Sequence, residues 1–189
     1  FGIKNPMRVI LQFNATDALN LAIQGILAGG GHAVTTSMEH NSVARPLKEL
    51  EKRKLISLTV VQASTSGIIN PADIACAIKP ETKLVIVNHG SNAFGVVQPV
   101  AEIGDVCRNA GVAFLVDASQ TAGVIDINMV RDQIDLCAFT GHKALLGPTG
   151  TGGLILSEHF DYSRIRPLRY GGTGSVSDKT EQPDFLPDM

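Results

Sequence analysis

Apolar and polar positions along the chain follow two rhythms. Short runs in which nearly every residue is apolar alternate with longer stretches in which apolar residues recur every three or four positions. Runs of the first kind suit strands buried on both faces, and stretches of the second kind suit helices packed against them. Strands are predicted at "RVILQF" (8–13), "HAVTTS" (32–37), "ISLTVVQ" (56–62), "KLVIVNHG" (83–90), "VAFLVD" (112–117), "DLCAFTG" (135–141) and "GGLILS" (152–157). In the first helix, "NATDALNLAIQGILAGG", Asn14 or Thr16 can cap, Ala18, Leu21, Ala22 and Ile26 share a face, and Gly29 is the stop. The second, "HNSVARPLKELEKRK", tolerates Pro46 only near its first turn. "NPADIACAI" is a short helix capped by Asn70 with Pro71 at its first position, and "PVAEIGDVCRNAG" ends on a glycine. The alternation predicts an α/β fold, a three-layer α/β/α sandwich around a mostly parallel sheet.

Ligands of such sheets sit beyond the carboxyl ends of the strands. The polar residues fall there: Asn14 to Asp17, Glu39 and His40, Asn88 to Asn92, Asp117 and Gln120, and Thr140 to Lys143. Five strand ends are therefore expected to converge on one crevice. Lys143, carried out of the core between an imidazole and a Gly/Pro-rich loop, could be a solvated cap, a phosphate clamp or a catalytic amine. Asp117 could be a helix cap or a carboxylate that needs a cation or a charge-assisted bond. His40 and His142 could each be an ordinary satisfied histidine. "GPTGTGG" lacks the GxxxxGK[ST] order, Lys143 precedes its glycines, and no GxGxxG follows the first strand, so nucleotide binding is poorly supported. The glycines instead let the backbone pass close beneath a ligand or a neighbouring subunit. The histidines show no HxH or HExxH spacing, and no metal site is expected.

Composition narrows the class. The chain has 189 residues, 44% hydrophobic content and 19 glycines, which suits one α/β domain with many tight turns. A net charge of −2 without a basic block argues against nucleic acid or an anionic membrane as partner. No apolar run reaches transmembrane length, and no charged-then-apolar leader opens the chain. Cys76, Cys107 and Cys137 are odd in number and lack CxxC spacing, which points to a reduced, cytoplasmic chain with each thiol buried as a small hydrophobe. The abrupt start at Phe1 and the loop-like "EQPDFLPDM" read as cuts, so residues 1–189 are expected to be one domain truncated at both ends.

These pieces fit best around pyridoxal 5'-phosphate. Its chemistry needs a lysine amine for a Schiff base, a carboxylate for the pyridine nitrogen, a planar group over the ring, and a helix N-terminus with hydroxyls for the phosphate. Lys143, Asp117, His40, and "NATDA" with Thr140 and His142 supply these in turn.

"MEHNSVARPL", "VNHGSNAFGVVQPV", "VDASQTAGVIDI" and "DLCAFTGHKALLGPTGTGGLIL" closely resemble the class V aminotransferases, in particular the cysteine desulfurase and selenocysteine lyase branch. The most specific part is an Asp-x-x-Gln pair with a Gly-His-Lys downstream, and "YGGTGSVSDKTEQPDFLPD" resembles a desulfurase-like subgroup. The resemblance implies the large domain of a fold-type I enzyme with the small domain largely absent. It implies that Lys143 is the Schiff-base lysine, that Asp117 pairs with the pyridine nitrogen and that His40 stacks on the ring. Asn92 and Gln120 would contact the ring hydroxyl, while Thr16, the Asp17 backbone, Thr140 and His142 would hold the phosphate. The implied reaction is removal of sulfur from L-cysteine to leave alanine, by a homodimer that passes the sulfur to an acceptor protein. A selenocysteine lyase or a true aminotransferase would use the same frame. From a different class, a non-catalytic α/β scaffold or nucleotide-binding domain would use none of it. Relatives carry the carboxylate-binding arginine and the sulfur-accepting cysteine beyond the end of this chain, and none of its three cysteines matches that place. Residues 1–189 alone are therefore expected to be inactive.

Overall fold

The computed structural model describes residues 1–172 and 180–181. The apolar runs become β1 (Val9–Gln12), β2 (His32–Thr36), β3 (Ser57–Val61), β4 (Thr82–Asn88), β5 (Ala113–Asp117), β6 (Leu136–Thr140) and β7 (Gly152–Leu156). They pair into one sheet in the order β1-β7-β6-β5-β4-β2-β3. Neighbours from β6 to β3 are parallel, whereas β7 lies antiparallel to both β6 and β1. Only β7 therefore runs against the rest, so the sheet is mostly parallel.

Four helices cover it: α1 (Ala15–Ile26), α2 (Asn41–Lys52), α3 (Pro71–Ala77) and α4 (Val100–Ala110). Strand residues alternate between two cores, as a period of two requires. Leu84, Ile86 and Leu115 pack with Leu19 and Ile23 of α1 and Val43 and Leu47 of α2. Val85, Val87, Phe114 and Val116 pack on the other face with Ile74 of α3 and Ile103 of α4. Each such fully buried side chain is worth roughly 1.5–3 kcal/mol relative to exposure. The three layers are those the sequence predicts.

Local differences have physical reasons. Helix α1 ends at Ile26, before Gly29, and the reversal is made by Gly30 and Gly31, whose φ values of 71° and 117° suit glycine. Pro46 sits in the second turn of α2, where it offers no N–H to the Ser42 carbonyl one turn back. Cys107 and Cys137 are buried, but Cys76 is exposed, which corrects the expectation for that thiol. Helix α3 buries only Ile74, and a residue two positions on faces the opposite side. The glycine-rich "YGGTGS", which looks suited to close backbone contact in a homodimer, lies partly outside the described residues, which stop at Gly172 and resume at position 180.

Candidate active site

A cavity of about 250 Å³ opens at the carboxyl ends of the parallel strands. Its wall is drawn from five places. Asn14, Ala15 and Thr16 come from the start of α1, and His40 and Ser42 from the start of α2. Asn88, Gly90 and Asn92 follow β4, Asp117, Ser119 and Gln120 follow β5, and Thr140, His142 and Lys143 follow β6. Of the residues singled out in the sequence, the structure gathers Thr16, His40, Asn92, Asp117, Gln120, Thr140, His142 and Lys143 on this wall. Asp17 does not join them. Its backbone N–H donates to Asn14 Oδ1 at 3.0 Å, the bond that caps α1. Ala15 and Thr16 keep first-turn N–H groups with no intrahelical acceptor.

Asp117 closes β5, level with Asn88 on β4 and Ala138 on β6. Its Oδ1 accepts from the Ser119 backbone N–H at 3.0 Å and, through a short bond, from the Ser119 hydroxyl. That oxygen caps the turn after β5, as the cap reading proposed. No described residue donates to Oδ2. Lys143 lies half-buried in the turn after β6, where its carbonyl accepts from Leu146 N–H at 2.9 Å. The ion pairs among the described residues join Lys48 to Glu51 and Arg131 to Asp126 and Asp132, so none engages Lys143 or Asp117. Thr140 is buried, and its Oγ1 lies 3.0 Å from His142 Nδ1.

Ser42 and Ser119 were not singled out from the sequence, and Glu39 and Asn88 were named there only as polar residues at strand ends. Ser42 contacts both His40 and Thr16, and Ser119 holds Asp117. Their signals, a serine two places after a capping His or Asp, are short-range turn patterns that fit many loops. Asn88 donates from Nδ2 to Met38 O at 3.1 Å and from its backbone N–H to Glu39 Oε1, also at 3.1 Å. Glu39 Oε1 further accepts from the Thr36 hydroxyl at 2.6 Å. Burial pushes the Glu39 carboxyl up to about 8; the Thr36 and Asn88 bonds pull the other way, and the nearby Asp117 charge adds to the rise. Glu39 Oε2 and Asn88 Oδ1 are buried without a partner. A protonated Glu39 turns one of these acceptors into a donor.

The donor and acceptor set suits one kind of ligand. The free Asp117 Oδ2 suits a protonated ring nitrogen, and the unpaired Lys143 amine suits a carbonyl carbon. The α1 N-terminus with Thr140 and His142 suits an oxyanion. Among the described residues, no three His, Cys, Asp or Glu side chains are grouped to hold a metal, and no helix is long and apolar enough to cross a membrane.

The family model described as Aminotransferase class-V matches residues 1–184. A probable cysteine desulfurase of Methanothermobacter thermautotrophicus is 36% identical over 182 residues, which cover 96% of this chain and 45% of that protein. The cysteine desulfurase IscS of Pseudomonas fluorescens is 35% identical over 172 residues, 89% of this chain and 42% of that one. Among solved structures, SspA in complex with cysteine superposes with a TM-score of 0.83 at 31% identity, covering 89% of this chain and 49% of its own. The apo cysteine desulfurase of Thermococcus onnurineus NA1 gives 0.83 at 32%, covering 94% and 46%. The chain thus spans about half the length of the relatives it matches.

Proposed function

The chain belongs to the class V aminotransferase family, and from that premise we propose that it forms the cofactor-binding part of a pyridoxal-phosphate-dependent cysteine desulfurase. The carrying observation is the convergence, at one set of strand ends, of an unpaired amine, a carboxylate with one free oxygen, an imidazole and a helix N-terminus. The likeness to cysteine desulfurases, and to a structure holding cysteine, supports cysteine as the substrate.

When bound, pyridoxal phosphate supplies an aldehyde that condenses with amines and a conjugated ring that takes up an electron pair from the substrate Cα. The residues of the chain do the rest. Lys143 Nζ would hold the aldehyde carbon, and as a free amine it would be placed to take a proton from the substrate Cα or return one. Asp117 Oδ2 keeps the pyridine nitrogen protonated, while Ser119 holds the carboxylate by Oδ1 so that Oδ2 stays directed. His40 would lie against the ring, and Asn92 and Gln120 would reach its hydroxyl. Thr16, Thr140, His142 and the α1 N-terminus hold the phosphate.

The thiol that accepts sulfur is proposed to lie outside residues 1–189. Cys76, Cys107 and Cys137 are all absent from the cavity wall. Burial pushes the Cys107 and Cys137 thiols up to about 12, leaving about one molecule in 10⁵ as thiolate at neutral pH. Two copies of the chain are proposed to pair, since Phe13, Phe94 and Leu146 stand exposed on loops that border the site.

The test is product analysis. The full-length protein given cysteine and an excess of a dithiol, which reduces the persulfide and supplies the two electrons, should release alanine and sulfide in equal amounts, and a Cys76→Ser variant should do so at the same rate. Formation of a keto acid in place of alanine would make it an aminotransferase instead.

A further inference from the structure

Helix α2 begins on a histidine, and that single fact orders the protons around the site. His40 is the N-cap residue of α2: its Nδ1 accepts from the Ser42 backbone N–H at 3.1 Å. A backbone amide can only donate, so Nδ1 must present its lone pair. A neutral imidazole with a bare Nδ1 carries its proton on Nε2. The Ser42 hydroxyl lies 2.8 Å from the same Nδ1 and 2.8 Å from Thr16 Oγ1. With no proton on Nδ1, the hydroxyl must donate to His40. Ser42 Oγ then accepts from the Thr16 hydroxyl. Each hydrogen bond in the chain Thr16 to Ser42 to His40 therefore has one direction.

We propose that Ser42 is a positioning residue that fixes His40 in the Nε2–H tautomer and ties its ring to the phosphate end of the crevice through Thr16. His40 then meets the bound groups as a hydrogen-bond donor, and it is no proton acceptor while the chain stands. The link joins two elements, α1 and α2, that otherwise meet through apolar side chains such as Leu19, Val43 and Leu47. Serine suits the position because its hydroxyl both donates and accepts while its own backbone supplies the second donor. The consequence for chemistry rests on the cofactor reading above, which sets His40 against the ring; the tautomer itself does not.

The test is a nitrogen–proton NMR correlation spectrum of the full-length protein, labelled in histidine and recorded at pH 8, where an ordinary histidine is neutral. The His40 signals are identified by their loss in His40→Asn. The expected spectrum shows an unprotonated Nδ1 and a protonated Nε2. Ser42→Ala should raise the Nδ1–H share about 2–10-fold, the effect of losing one modest hydrogen bond, and Ser42→Thr should restore the original ratio. A protonated Nδ1 in the unaltered protein overturns the proposal, and so does a ratio unchanged in Ser42→Ala. If Ser42→Ala fails to fold, shown by movement of the other histidine signals, the unaltered protein and Ser42→Thr still decide. A protein that binds no pyridoxal phosphate would fail the functional reading and leave the tautomer measurable.

Discussion

Asp117 divides its two oxygens between two tasks. Ser119 saturates Oδ1 and holds the carboxylate in place, while Oδ2 remains for a ligand. Asp117→Asn keeps that cap but removes the charge proposed to face the ring nitrogen. It is expected to lower kcat for cysteine by about 10²–10³-fold, the scale of losing one preorganised electrostatic partner, with cofactor affinity much less affected. Comparing turnover with the cofactor content of the purified variant checks this, and equal activity would reduce Asp117 to a turn cap. Glu39 makes a different prediction. Its folded value of about 8 stands above the usual 4.5, so the folded protein binds an extra proton between those values. The stability this gives is complete below about pH 4.5 and is lost as pH rises towards 8. Urea unfolding from pH 5 to 9 should therefore show a fall in stability that flattens in Glu39→Gln; the same slope in both would show that Glu39 is already ionised. Much of the site's location was legible, because the strand-end rule needs only the apolar run and the polar residue after it. Ser42, Ser119 and the inward turn of Glu39 were not, because they depend on which neighbour a rotamer reaches.

Helix α1 carries the end of the crevice proposed for the phosphate, and its seat is set by β7. A Cβ on Gly152 would lie 2.7 Å from Asn14 Cα and 2.8 Å from the Phe139 carbonyl. Gly152→Ala must push the α1 N-terminus or the sheet aside. A loss of about 1–3 kcal/mol is expected, read as a lower Tm, together with weaker cofactor binding. Gly172→Ala, where a Cβ meets no described residue within 4 Å, is the control and should leave Tm unchanged. The strands themselves were readable to within a residue or two, since a doubly covered strand shows as an unbroken apolar run. The reversal of β7 was not, because an apolar run reads the same in either direction. The end of α1 was misplaced because Gly29 precedes two further glycines, and it is Gly30 and Gly31 that take the left-handed conformation.

At the scale of the whole molecule, the described residues form three layers whose site opens onto an apolar border. Phe13 is 66% exposed, Phe94 69% and Leu146 91%, more than isolated surface apolar residues need. Gel filtration of the full-length protein should give a dimer that weakens when Phe94 or Leu146 becomes a charged residue; a monomer at all concentrations would leave that border without the proposed partner. The central claim concerns one atom, Lys143 Nζ. The most direct measurement is borohydride reduction of the full-length protein loaded with pyridoxal phosphate, followed by peptide mapping. The account predicts a single pyridoxyl group, on Lys143, and none in Lys143→Ala. A pyridoxyl group on another lysine, or none on the unaltered protein, would contradict it.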